Sequence, residues 1–156
     1  MMFRYADIND LNRVYEIEKE CFPENEAASF DSLKHRIENG FFLLLEEEHE
    51  ILSFINGMYS NEKDLKDEMY EGKYCVKNGD WLMIFGVDTP YKHQHHGYAS
   101  MVMKEVIKNC KGKGIVLTCK EHLIPFYSEF GFVDEGISSS THGNVLWYQM
   151  RYEIIT

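Results

Sequence analysis

Prolines, paired cysteines and long apolar stretches are scarce in this chain. It has three prolines and four cysteines in 156 residues, and Cys21, Cys75, Cys110 and Cys119 form no CxxC pair. Cysteines spaced this way point to neither a zinc framework nor a disulfide framework. A chain of this length buries enough surface to fold without either. Reduced thiols and a cytoplasmic setting are therefore expected. The apolar runs are of strand length, as at Phe41–Leu45, so no membrane span is expected. Met1–Asp7 lacks the apolar core of a signal peptide. Repeats and low-complexity tracts are missing as well. Basic residues are the minority, 16 Lys and Arg against 26 Asp and Glu, for a net charge of −10. Such a chain suits neither nucleic acid nor an anionic membrane, and a charged small partner is expected to be a cation.

What remains is an ordinary globular balance, 44% hydrophobic and 27% charged with 14% aromatic, in a length that suits one domain over residues 1–156. The charge is uneven. Residues 1–89 carry nine bases and twenty acids, residues 90–120 six lysines and one glutamate, and residues 121–156 one arginine and five acids. An acidic chain thus contains one basic island.

Asp7 to Asp10 supplies N-cap candidates, and Leu11, Val14, Tyr15, Cys21 and Phe22 recur at helical spacing, predicting a first helix that Pro23 follows. Glu24–Ser29 reads as a loop feeding a second helix over Phe30–Glu38, ended by Asn39-Gly40. Phe41–Glu46 and Ile51–Met58 form a hairpin across the charged turn 47–50. The polar stretch 59–80 includes a short helix near Leu65–Tyr70 and is either a solvated face or a binding loop. Trp81–Val87 is almost wholly apolar, as suits a central strand covered on both faces. Ala99, Val102, Met103, Val106, Ile107 and Cys110 fall at i, i+3, i+4, i+7, i+8 and i+11, an amphipathic helix. Ile115–Cys119 is the next strand, so this region is a strand–helix–strand unit. A short helix over His122–Phe130 and two strands, Phe132–Glu135 and Val145–Ile155, complete a mixed α/β domain around one sheet.

Gln94-His95-His96-Gly97-Tyr98-Ala99, followed by Ser100, sits between the buried strand and the strong helix. The first N–H groups of a helix have no internal partner, and a glycine lets the backbone bend close to a ligand. The segment is either an anion cradle or a plain strand-to-helix turn with a glycine for tightness. With Val87-Asp88-Thr89-Pro90-Tyr91 before it, this stretch resembles the acetyl-CoA signature Q/R-x-x-G-x-G/A of the GNAT superfamily of N-acetyltransferases. Ile115–Cys119 and Leu123-Ile124-Pro125-Phe126-Tyr127-Ser128-Glu129-Phe130-Gly131-Phe132 resemble that superfamily's late strand and its FYxxFGF helix. The Pro-Phe-Tyr wording is similar to the arylalkylamine (serotonin-type) branch, and Phe22–Ala28 resembles the opening loop of its bacterial members.

The resemblance implies a mostly antiparallel sheet of six or seven strands with about four helices, opened by a parallel pair that splays around the pantetheine arm. It implies acetyl transfer from acetyl-CoA, without a metal, to a primary amine of a small substrate. Protein N-terminal or lysine acetylation, or a non-catalytic acyl-CoA-binding module, are the alternatives. The chain is expected to be a monomer or homodimer. By the same resemblance Phe85, Gly86 and Val87 offer backbone donors to the thioester. Gln94 to Ser100 and Phe126 bind the cofactor, with Lys92, Lys120 and the histidines His93, His95 and His96 adding charge. Tyr127 is the acid for the departing thiolate; by spacing alone it is a core tyrosine beside Phe126 and Phe130. The vertebrate serotonin enzymes carry two histidines on the central strand where this chain has Trp81 and Met83, which accept no proton. Insect relatives use an acidic residue after the first helix, and Glu26, or else Glu24, matches that place. It is expected to bind an ammonium ion or pass its proton to water, unless it is simply a solvated loop residue. Ser138, Ser139, Ser140 and His142 are expected on the substrate side.

Overall fold

The structure, a computed structural model, describes residues 1–154. It opens with β1 (Met2–Tyr5), an edge strand too short to stand out in the sequence. Asp7 then caps a 3-10 turn at Ile8–Asp10, accepting from the Asn9 N–H while Asp10 accepts from the Asp7 N–H. Helix α1 (Leu11–Cys21) buries Leu11, Val14, Ile17 and Glu18 on one stripe. Helix α2 (Phe30–Asn39) is capped by the Ser29 hydroxyl, which accepts from the Ser32 N–H.

Strands β2 (Phe41–Glu47) and β3 (Glu50–Ser60) are joined by Glu48 and His49, both in the left-handed region that a two-residue hairpin turn requires. Between β3 and β4 (Trp81–Asp88) the predicted short helix is a 3-10 turn at Asp67–Glu71. Helix α3 (Tyr98–Asn109) and strand β5 (Gly114–Cys119) follow. The helix predicted over His122–Phe130 divides into a 3-10 turn at Glu121–Leu123 and a short α4 (Ile124–Ser128), with Pro125 in its first turn. Strands β6 (Val133–Ile137) and β7 (Tyr148–Glu153) close the chain. β7 begins later than Val145, and the predicted end at Ile155 lies outside the described residues.

The seven strands form one sheet in the order β1-β2-β3-β4-β5-β7-β6. Only β4 and β5 run parallel; the other pairs are antiparallel. This is the mixed α/β architecture with seven strands, one parallel pair and four helices that the resemblance implies. The pleat sends alternate residues to opposite sides. Leu43, Leu45, Ile55, Leu82 and Ile84 pack with α3 and with Tyr127 of α4. Phe42, Leu44, Ile51 and Phe54 pack with α1 and α2. Further along that second face, Met58, Trp81, Met83 and Val116 are covered by Leu65 and Met69 of the 61–80 excursion. Trp81 and Met83 are therefore packing residues, and the Arg151 guanidinium lies 4.6 Å over the Trp81 ring.

Candidate active site

The parallel strands part at a definite point. β4 and β5 are paired from Trp81↔Gly114 to Ile84↔Leu117 and no further. β5 continues along β7 to Cys119↔Tyr148, whereas β4 stays with β3 through a register shift. Asn56 faces Gly86 and the next residue, Gly57, faces Ile84, so Phe85 is an extra residue on β4. A bulge of this kind bends the strand that carries it. The extra residue lies one position before Gly86. The gap between the strands is a cleft of about 480 Å3, with Phe85, Gly86 and Val87 on one wall and Leu117, Thr118 and Cys119 on the other.

Tyr127 reaches this cleft from α4. Its ring is 7% exposed and packs edge-on against Phe126 and Phe132. Burial pushes its phenol above the ordinary tyrosine range, and Cys119 and Asp88 push in the same direction. It is a protonated donor at neutral pH. Phe126 packs at 5.2 Å on Phe130 and belongs to the apolar core.

Gln94 to Ser100 lie outside this cleft, at the N-terminus of α3. His95 and Gly97 both have left-handed backbone (φ 66 and 78). Beyond its two chain neighbours, no atom of the described residues comes within 4 Å of where a Gly97 Cβ would be. Among the described residues, no backbone N–H from His95 to Ser100 has a hydrogen-bond partner; the first bond of the helix runs from the Met101 N–H to the Gly97 carbonyl. An open turn with free donors at the positive end of a 12-residue helix fits a pyrophosphate. The lysines and histidines expected nearby divide. Lys92 and His93 both pair with Glu50, and Lys120 pairs with Glu26, whereas His95 and His96 stay exposed beside the turn.

At the cleft's other end stand Glu26, Asp67, Tyr70, His142 and Trp147. Both Glu26 oxygens contact Lys120, at 2.9 and 3.1 Å. The His142 ring stacks on Tyr70 (4.5 Å between centroids) and bonds the Glu26 carbonyl. Asp67 accepts from Ser140 Oγ and from the N–H and hydroxyl of Thr141, which ties the 61–80 excursion to the loop before β7. Arg151 anchors the same excursion through the Lys63 carbonyl and Asp64. Segment 59–80 thus forms a wall of the site.

A model of the acetyltransferase (GNAT) family matches residues 11–132. The chain belongs to that family. Its fold is similar to the loading GNATL domain of CurA from Lyngbya majuscula, at 14% identity over 97% of this chain and 96% of that one, with a TM-score of 0.83. It is also similar to the ribosomal-protein-S18-alanine N-acetyltransferase from Escherichia coli, at 15% identity over 99% and 94% of the two chains, with a TM-score of 0.75. NAA60 of Arabidopsis thaliana in complex with acetyl-CoA gives 17% identity, 98% of each chain and a TM-score of 0.74.

The GNAT cleft brings Tyr127, Glu26, Phe85, Gly86 and Val87 together and leaves Gln94 to Ser100 on the adjoining helix start. Glu18 and Arg36 on its lining belong to a buried polar group that no sequence pattern announced as a group. Glu18, Arg36, Asn56 and Asp88 are buried together between the sheet and α1 and α2. Arg36 donates to Asn56 Oδ1 at 2.9 Å and to the Tyr70 carbonyl at 3.0 Å, and its guanidinium covers the Phe85 ring. Burial lowers its pKa to about 10, against the opposing pull of Glu18, Tyr70 and Asp88. Glu18 Oε2 accepts from the Ala28 N–H. A signal for one member was available: Glu18 follows Val14 and Ile17 at i+4 and i+1, so it falls on the apolar stripe of α1. Asp88, Arg36 and Asn56 give no such warning, because only the register brings them to one place.

Proposed function

We propose that residues 1–156 form one domain that transfers the acetyl group of acetyl-CoA directly to the primary amine of a small substrate, aryl-alkyl amines among them. The observation that carries this reading is the buried Tyr127 at the point where β4 and β5 part. When bound, acetyl-CoA supplies the acetyl group as a thioester. The free donors of His95 to Ser100 hold its phosphates. Backbone N–H groups of the bulged stretch Phe85–Val87, released from β5, stabilise negative charge on the carbonyl. Tyr127 donates its proton to the departing sulfur. Asp67 sets a negative field at the acceptor end, where Tyr70, His142 and Trp147 offer aromatic faces to a cationic amine. The wall that Asp67 ties down limits that end to small acceptors.

A peptide acceptor is the second reading, favoured by the similarity to the Escherichia coli enzyme. Incubating the protein with acetyl-CoA and a panel of arylalkylamines, polyamines and peptides, following free thiol, separates the two. Thiol release with small amines and none with peptides is expected. Release with peptides alone reverses the assignment.

A further inference from the structure

The acetyl-transfer reading leaves one question open in chemical terms: which group takes the proton from the acceptor nitrogen. Trp81 and Met83 are apolar and buried under Leu65 and Met69. Both oxygens of Glu26 are occupied by Lys120. Glu18 differs from it. Its side chain lines the cleft, it is only 4% exposed, and Oε1 has no hydrogen-bond partner among the described residues. Asp88 is fully buried, and both of its oxygens also lack a partner. A Cβ placed on Gly86 would meet Asp88 Oδ1 at 3.0 Å and Glu18 Oε1 at 3.6 Å, so the two carboxyls converge on one point beneath the bulge. The unpartnered Asn56 Nδ2 lies 2.9 Å from the same point, and Arg36 Nε is unpartnered too. Buried polar groups are normally satisfied. Here four residues from α1, α2, β3 and β4 leave atoms unsatisfied at the edge of a cleft.

We propose that Glu18 is the group that accepts the proton of the acceptor amine, with Asp88 as its positioning partner. The inference rests on the acetyl-transfer reading and deepens it. A carboxyl as dry as Asp88, beside a second carboxylate, is disfavoured as an anion and keeps its proton. Burial holds the Asp88 carboxyl well above the usual carboxylate range, and the charge of Glu18 reinforces this. Other titratable groups face the pair. Cys21 of α1 pushes Asp88 in the same direction, Arg36 of α2 opposes it, and Tyr127 of α4 stands across the splay within the electrostatic reach of Asp88. Tyr70 and Cys119 lie one residue further out, acting on Arg36 and Tyr127.

The protons balance. The ammonium form of the amine first gives one proton to solvent; its neutral nitrogen then forms a bond to the carbonyl carbon as the carbon–sulfur bond breaks, and the sulfur leaves with the electron pair and takes the Tyr127 proton. The proton released by nitrogen goes to Glu18 Oε1, which leaves both carboxyls neutral. The pair then returns one proton to Tyr127 and regains its single charge.

The test uses the full chain with Glu18→Gln and Asp88→Asn, and Glu16→Gln on the exposed face of α1 as a control. Each is assayed with acetyl-CoA and the amine that the wild type turns over fastest. Glu18→Gln should lower kcat about 100-fold or more and remove the acidic limb of the pH profile, with the Kd for acetyl-CoA within about twofold of wild type. Asp88→Asn should displace that limb and leave the Kd for acetyl-CoA within about twofold of wild type. Unfolding by urea gives a readout independent of turnover. A raised folded pKa means that the unfolded state has lost the Asp88 proton while the native state keeps it. The Asp88 contribution to stability should therefore fall as pH rises from about 4, so the difference in stability between wild type and Asp88→Asn should change in that direction across the same range. Should either variant fail to fold, an infrared band of a protonated carboxyl persisting in the wild type at pH 7 takes its place, and absence of the band overturns the pair. Unchanged kcat and an intact acidic limb in Glu18→Gln overturn Glu18 alone. A wild type inert toward every amine and peptide overturns acetyl transfer itself, a result distinct from either of the others.

Discussion

Ile84 of β4 and Leu117 of β5 are the last two residues at which the parallel strands run side by side. Beyond them β5 keeps its bonds to β7, while the extra Phe85 turns β4 away. The cleft thus arises from unequal loyalties of two central strands, each held by its antiparallel neighbour.

Gly97 combines left-handed backbone with open space around the missing Cβ. Gly97→Val should cost about 1–2 kcal/mol in stability from backbone strain alone. It should also weaken acetyl-CoA binding by about tenfold or more, since a branched side chain would block the approach to the free donors. Titration calorimetry with acetyl-CoA and urea unfolding measure the two separately. Affinity equal to wild type would remove the cradle from this turn.

Tyr127 forms no side-chain hydrogen bond among the described residues, so its hydroxyl is not holding the fold together. Tyr127→Phe should reduce kcat by about 100-fold and leave both stability and the Kd for acetyl-CoA close to wild type. Burial raises the phenol above its ordinary value. Ionisation of Tyr127 should therefore cause no decline in wild-type turnover below about pH 10. A decline below that pH which disappears in Tyr127→Phe would contradict the assignment.

Asp67 fastens the excursion to the loop before β7 through three hydrogen bonds. Asp67→Ala should raise KM for the amine by roughly tenfold, given about 1 kcal/mol for each bond lost and partial compensation by water. The Kd for acetyl-CoA should not move, because its binding elements are elsewhere. If the variant acquires activity on peptides, the wall is what excludes them. Equal KM values would show that the tie does not shape the acceptor end.

Gly86 has no room for a side chain: a Cβ would lie 2.9 Å from Asn56 Nδ2 and 3.0 Å from Asp88 Oδ1. Gly86→Ala should destabilise the protein by about 1–3 kcal/mol and depress turnover more than acetyl-CoA affinity. Urea unfolding and steady-state kinetics on one preparation would check both. An alanine tolerated without loss in either would mean that the buried polar group can move aside.

The elements were legible in the sequence wherever one periodicity governed a long stretch. The stripe from Ala99 to Cys110 and the apolar run Trp81–Val87 correspond to α3 and β4. So do the cap at Asp7 and the glycine at Gly97, because capping and left-handed backbone are local demands. Those local demands, with the Pro-Phe-Tyr helix, are enough to indicate the family. β1 was not legible, since four residues on a sheet edge show no period of their own. Nor was the division of the helix after β5, which depends on the chain tightening into a 3-10 turn before Pro125.

The site itself was decided by tertiary structure. No pattern tells that Lys120 pairs with Glu26, or that Lys92 and His93 turn to Glu50, because a long charged side chain takes the nearest opposite charge in space. No pattern tells that Glu18 and Asp88, seventy residues apart in the sequence, meet beneath Gly86. Local chemistry along the chain determined which strands and helices form and which turn can receive a phosphate. Register between strands determined the rest: one extra residue at Phe85 opened the sheet and brought buried carboxyls to the edge of the gap.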